Sequence, residues 1–264
     1  MPLKTSLILA TILIFVAGCG GRIPESSIPM PEQRHAARLL DLAQKTNDGL
    51  KSYKGLGTLT VRKGDERGTS RIAWVGRFPN LLRFEIFGLP GQPVMVVSGD
   101  GQWLYLRTGI PPEVKKKRIG GPNLRAILDV PVSMDDLFQL LAGRMPIRSH
   151  RSITLAGPEK ENEKIGTLAL DLRSFWGGVV ERIYWNAKDS EPVAMTIFHS
   201  GERPGLRVRF EKTFLRNGFR IPRLLTIDDA EKRIWIRLRV DRFWPNAETE
   251  LSIFSLTSPV QNQD

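Results

Sequence analysis

Arg233-Ile234-Trp235-Ile236-Arg237-Leu238-Arg239-Val240 alternates without interruption between aliphatic residues and basic or aromatic ones. In an extended chain successive side chains point to opposite faces, so Ile234, Ile236, Leu238 and Val240 share one face while Trp235 and the arginines share the other. A strand of this kind belongs to an antiparallel sheet that is packed on one side and wet and basic on the other. Leu168-Ala169-Leu170-Asp171-Leu172 has a similar character, and nearly all of residues 149–254 reads as strand. Towards the N-terminus, residues 56–118 show short runs of period two. They are broken at Gly64-Asp65, Phe78-Pro79-Asn80, Gly88-Leu89-Pro90-Gly91 and Gly99-Asp100-Gly101, which predicts five or six antiparallel strands.

Two segments depart from this period. Pro31-Glu32 opens a helical stretch with Ala36, Leu39, Leu40, Ala43 and, after a polar turn, Leu50; Gly49 and Gly55 are expected to fray and stop it. Residues 122–143 return to helical spacing through Leu124, Ile127 and Leu128. Ser133 is then placed as N-cap before Leu137, Phe138, Leu140 and Leu141, and Gly143 as terminator. Asp135-Asp136 supplies negative charge in the first turn, where the macrodipole favours it. Two helical segments among ten or eleven antiparallel strands predict a mainly β (α+β) fold, one strongly curved sheet with helices covering its concave face. No self-similar period points to a repeat architecture.

The chain has 264 residues, 41% hydrophobic and 25% charged, with a formal net charge of +11. Its mean hydropathy of −0.20 excludes a multi-span helical membrane protein, and its basic balance excludes an acidic disordered chain. The single cysteine, Cys19, excludes an internal disulfide and any multi-cysteine metal site. Lys4 followed by the apolar run 7–17 reads as the charged and apolar regions of an export signal, too short to span a bilayer. The run ends in Val16-Ala17-Gly18-Cys19, which resembles the bacterial lipobox and makes Cys19 the expected site of lipidation. Gly20 stands where an aspartate resembles an inner-membrane retention signal, so the outer membrane is implied for a host with two membranes. The expected organisation is a signal peptide at 1–18, acylated cysteine and flexible tether at 19–31, one folded domain at 32–258 and a tail at 259–264. The tether would span ~20 Å on average.

The order of elements resembles the LolB and LolA family of outer-membrane lipoprotein receptors and carriers. The likeness runs from the lipobox through the N-terminal helix into Tyr53-Lys54-Gly55-Leu56-Gly57-Thr58-Leu59-Thr60-Val61. It continues in Phe78-Pro79-Asn80-Leu81-Leu82-Arg83-Phe84-Glu85, in the Gly99-Asp100-Gly101-Gln102 turn, and in Asp136-Leu137-Phe138-Gln139-Leu140-Leu141-Ala142-Gly143-Arg144-Met145-Pro146. The resemblance implies an incomplete β-barrel whose apolar cavity, lidded by helices, receives acyl chains of lipoproteins in transit. It also implies a membrane-insertion loop, for which Leu89 is the matching position; this loop carries two prolines, Pro90 and Pro93, where the family has a shorter polar tip. The other reading of Leu89 is a leucine packed at a tight turn.

Candidate acyl-cavity residues are Trp74, Phe84, Met95, Trp103, Tyr105, Leu137, Phe138, Leu141, Trp185 and Met195, since acyl chains need an apolar, adaptable wall. The same residues would equally fill an ordinary core. Catalytic patterns are missing: there is no G-x-S-x-G elbow, H-E-x-x-H, P-loop or calcium-loop spacing, and the three histidines lack ligand spacing. No enzyme activity, cofactor or metal is therefore expected. Lys115, Lys116, Lys117 and Arg118 form a basic run that fits anionic lipid head groups or an acidic LolA-like carrier, or is simply a solvated face. An exported lipoprotein does not meet nucleic acid. The expected function is reception of lipoproteins at the outer membrane, periplasm-facing and lipid-anchored; the alternative is a non-catalytic envelope scaffold built on the same fold.

Overall fold

The computed structural model describes residues 30–89, 91–109, 111–118, 132–157, 168–186, 191–199, 203–229 and 234–256. The alternation of the 233–240 stretch recurs on the strands Ser52–Lys63 and Glu66–Arg77, whereas the strands Leu168–Arg173, Val179–Asn186 and Glu191–His199 bury residues on both faces, Ala169, Tyr184 and Ala194 forming a second small cluster. In chain order the elements are α1 (Met30–Lys45), β1 (Ser52–Lys63), β2 (Glu66–Arg77), β3 (Leu81–Phe87), β4 (Pro93–Gly99), β5 (Trp103–Thr108) and β6 (Glu113–Arg118). There follow α2 (Met134–Leu141), β7 (Ser152–Ala156), β8 (Leu168–Arg173), β9 (Val179–Asn186), β10 (Glu191–His199), β11 (Arg203–Arg216), β12 (Phe219–Asp229), β13 (Ile234–Pro245) and a 3-10 turn, Leu251–Phe254. The thirteen strands form one antiparallel sheet, curled and unclosed, in the order β6-β5-β4-β3-β2-β1-β13-β12-β11-β10-β9-β8-β7. That exceeds the ten or eleven expected, because the two edge strands are weak in sequence: β6 ends in four basic residues and β7 is five residues long. β1 pairs with β13, from Tyr53 opposite Pro245 to Lys63 opposite Ile234, and so joins the two halves of the chain.

The four breaks proposed between residues 56 and 118 all fall at strand ends. On β13, Ile234, Ile236, Leu238 and Val240 are buried and Arg237 and Arg239 exposed, as the alternation requires. Trp235 takes the guanidinium groups of Arg237 and Arg62 over its ring, 4.5 and 5.7 Å from the centroid. Arg233 lies outside the described residues, as do 1–29, Leu124, Ile127, Leu128 and the 259–264 tail.

The first helix is shorter than its apolar spacing suggested. It ends at Lys45, and Asn47 turns the chain with a left-handed φ of 54°. Gly55 does not stop the helix; it lies inside β1, opposite Trp74, and the reverse pair sits beside it, Tyr53 opposite Gly76. A Cβ on Gly55 would stand 2.1 Å from the Trp74 ring, and one on Gly76 would stand 2.1 Å from the ring of Tyr53. Each ring covers the bare backbone of a cross-strand glycine, so these glycines strengthen the strand pair that glycine normally weakens.

The second helix obeys its sequence signals over residues 133–143. The Ser133 hydroxyl accepts the Asp136 N–H at 2.9 Å. At the other end the Gly143 N–H donates to the Leu140 carbonyl and the Arg144 N–H to that of Gln139, with Gly143 at φ +74°, which is the Schellman arrangement. The helix lies against β3, and α1 lies against β7, β8 and β10. Strand register sends the β1–β2, β3–β4, β5–β6 and β8–β9 turns off the same end of the sheet, the hairpin rim.

Candidate functional site

Inside the curl the two ends of the sheet are filled differently. Away from the hairpin rim, aromatic rings close the interior: Tyr53 lies 5.5 Å from Phe138 and 5.8 Å from Phe243, and Phe78 lies 4.5 Å from Phe138, centroid to centroid. Towards the rim the inward positions are aliphatic pairs, Leu59 opposite Leu238, Val61 opposite Ile236, Ile72 opposite Ile86 and Ile86 opposite Met95. These shorter side chains leave a cavity of about 230 Å³, completed by Phe84, Leu225 and Ile227 and by Leu137 and Leu141 of α2. Its wall is made of apolar side chains only. Val61, Ile86, Met95, Ile227 and Ile236 each stand one or two residues from the rim end of their strands. A second, polar cleft of about 740 Å³ lies at the other end, between Lys51, Arg77 and the 246–249 segment.

Four of the ten expected lining residues, Phe84, Met95, Leu137 and Leu141, are on this wall. Trp74, Phe138, Trp185 and Met195 belong to the same buried core but are packed solid, each no more than 1% exposed. Trp103 and Tyr105 point to the opposite face of β5 from Leu104 and Leu106, which join the core. There the Tyr105 hydroxyl donates to Asp100 at 2.8 Å, and the Lys116 ammonium sits 4.1 Å from the Trp103 ring centroid. Leu89, at the β3–β4 turn on the hairpin rim, is fully exposed rather than packed. Lys115, Lys116, Lys117 and Arg118 occupy the edge strand β6, all four exposed. Cys19 lies outside the described residues. Sequence reasoning missed the aliphatic wall because it weighted aromatics; the available signal was the spacing of Leu59 with Val61, Leu225 with Ile227 and Ile236 with Leu238 on inward faces.

A charged cluster joins α2 to the sheet beside this core. Arg148 donates to both oxygens of Asp136, at 2.8 and 2.7 Å, and its backbone N–H donates to Glu181 at 2.8 Å. Glu181 is opposite Leu172, 0% exposed, and burial pushes its carboxyl up to about 8, opposed by the Arg148 N–H and guanidinium and assisted by Asp136. The arrangement fixes α2 through a bidentate pair. Among the described residues no group of three or more His, Cys, Asp or Glu is placed to hold a metal ion.

No protein-family model matches the sequence, and no curated protein does. Solved structures do. A DUF1329 family protein from Desulfovibrio piger superposes with a TM-score of 0.60 at 11% identity, over 85% of this chain and 97% of that one. A LolA superfamily protein, NE2245 from Nitrosomonas europaea, superposes at 0.57 and 15%, over 84% and 97%. The fold is LolA/LolB-like. An outer membrane lipoprotein-sorting protein domain from Vibrio parahaemolyticus has the same likeness, TM-score 0.60 at 10% identity over 84% and 97%. At these identities the likeness is one of fold, and within the LolA/LolB-like fold this chain's own cavity carries the functional argument.

Proposed function

We propose that this chain is an outer-membrane lipoprotein, anchored through acylated Cys19, that receives acyl chains of other lipoproteins in its rim-side cavity and passes them to the membrane without covalent chemistry. The observation that supports this is a cavity with a wholly apolar wall inside a LolA/LolB-like sheet. At ~30 Å³ per water-sized group, 230 Å³ holds about seven or eight methylenes, roughly half of one fatty chain. At about 0.8 kcal/mol per methylene the gross gain is ~6 kcal/mol, before the cost of association. Capture of that strength is reversible, which suits hand-over from a carrier to a bilayer that buries the whole chain. In this reading the helices lid the concave face, the periplasm-facing body accepts cargo from a LolA-like carrier drawn to the Lys115–Arg118 run, and Leu89 enters the bilayer.

The test uses the processed chain, from residue 19 onward with Cys19→Ala, in native mass spectrometry against a synthetic triacylated lipopeptide. One lipopeptide bound per chain is expected, with none for the unacylated peptide. Met95→Trp, which fills the cavity, is expected to lose the adduct while keeping cooperative thermal unfolding. Leu89→Glu is expected to keep the adduct but to impair its transfer into vesicles. A folded chain that takes up no lipopeptide overturns the reading in favour of the scaffold.

A further inference from the structure

The β8–β9 turn carries two adjacent aromatic residues that nothing in the fold uses. Phe175 is 68% exposed and Trp176 91% exposed, their rings edge to face at 5.3 Å. Large rings this exposed are rare on a soluble surface, where a buried aromatic pair would stabilise the fold and an exposed one does not. The turn that displays them is held firmly. The Ser174 N–H donates to the Gly178 carbonyl at 2.9 Å, Gly177 takes φ +84°, and the Arg173 guanidinium donates to the Gly177 carbonyl at 2.8 Å. Arg151 flanks it, its N–H bonded to the Arg173 carbonyl at 2.7 Å and its side chain exposed.

The tip also has a place in the molecule. It leaves the sheet at the hairpin rim, the end that carries Leu89 and the aliphatic wall of the cavity. Exposed basic side chains populate that end, among them Arg62, Lys63, Arg67 and Arg203. A rigid projecting knob of Trp and Phe with arginines at its base is the composition that partitions into the head-group layer of a bilayer: the rings reach the acyl boundary while the guanidinium groups meet phosphate. A protein partner would have to supply a matching pocket for a convex tip, whereas a lipid surface deforms around it.

We infer that Phe175 and Trp176 form a second membrane-inserting tip, which with Leu89 seats the hairpin rim on a phospholipid surface containing anionic lipid. The cavity mouth would then face the bilayer that receives the chain. The inference builds on the envelope-lipoprotein reading but is tested without cargo. The processed chain with Cys19→Ala is floated with vesicles of phosphatidylethanolamine containing phosphatidylglycerol, and its tryptophan emission is followed as brominated phospholipid is introduced.

Vesicle binding is expected to fall at least about tenfold in the Phe175→Ser, Trp176→Glu double variant. Thermal unfolding and lipopeptide capture should be unchanged, since neither residue touches the core or the cavity. Quenching by brominated lipid should be present in the parent and largely lost in Trp176→Phe, which retains binding. Equal flotation of the parent and the double variant, or quenching that persists in Trp176→Phe, overturns the inference. Because lipopeptide capture is read separately, failure of the tip leaves the cavity reading standing, and loss of capture with intact vesicle binding does the reverse.

Discussion

Glu181 is fully buried on β9 beside the Arg148–Asp136 pair; among the described residues one of its oxygens accepts the Arg148 N–H and the other is buried with no hydrogen-bond partner. A carboxylate so placed costs more than the neutral acid, so the folded chain keeps the proton up to about pH 8, whereas the unfolded chain releases it near the ordinary value of 4.5. Between those values the folded state binds more protons than the unfolded one, and stability falls as pH rises. The contribution is fully present below about pH 4.5 and lost above about pH 8. Glu181→Gln keeps an acceptor for the Arg148 N–H and removes the ionisation. The melting temperature of the parent should therefore decline from pH 5 to 8 relative to Glu181→Gln, with the variant the more stable at the alkaline end by a few kcal/mol. Parallel curves for the two proteins would show that the carboxylate is solvated when it ionises.

At the scale of the element, α2 is eight residues long and too short to persist without its ends and its packing. Its two caps are unequal. Ser133 supplies one hydrogen bond, so Ser133→Ala should cost about 1 kcal/mol. Gly143 has both a left-handed φ and a crowded position: a Cβ there would stand 2.5 Å from the Arg220 carbonyl and 2.9 Å from the Asn47 amide. Gly143→Ala should thus cost at least ~2 kcal/mol in urea unfolding, with an unchanged m value. A cost no greater than that of Ser133→Ala would mean that β12 yields easily. Both caps were legible in the sequence because capping is local. The clamp at the second cap was not: Asn47 donates to the Ala142 and Arg220 carbonyls at 2.9 and 2.8 Å and accepts the Arg220 N–H, across separations of 95 and 173 residues. Gly55 was misread for the same reason, since only its cross-strand partner Trp74 reveals why a glycine stands there.

For the whole molecule, the strands and the apolar inner face were legible from alternation, whereas the second buried cluster on β8 to β10 and the cavity were not, because an empty volume depends on which inward side chains fail to meet across a curl. An unclosed sheet has one further whole-molecule requirement: two edges that must not pair with other chains. On one side α1 lies against β7. On the other, among the described residues, nothing pairs with the outer side of β6, and the basic run answers the problem. Lys115 and Lys117 stand opposite Leu106 and Leu104, so they occupy the inward face, where an intruding strand would have to bury them. This use of the lysines competes with docking of an acidic carrier, and two substitutions separate the two. Lys115→Val with Lys117→Val restores an apolar, pairable edge and should give concentration-dependent association by light scattering, while Lys115→Glu with Lys117→Glu, still charged, should stay monomeric. Carrier docking requires instead that the glutamate pair lose association with an acidic carrier, together with its salt dependence. A monomeric glutamate variant that still binds the carrier normally would assign the lysines to edge protection alone, and a valine variant that stays monomeric at high concentration would remove that role.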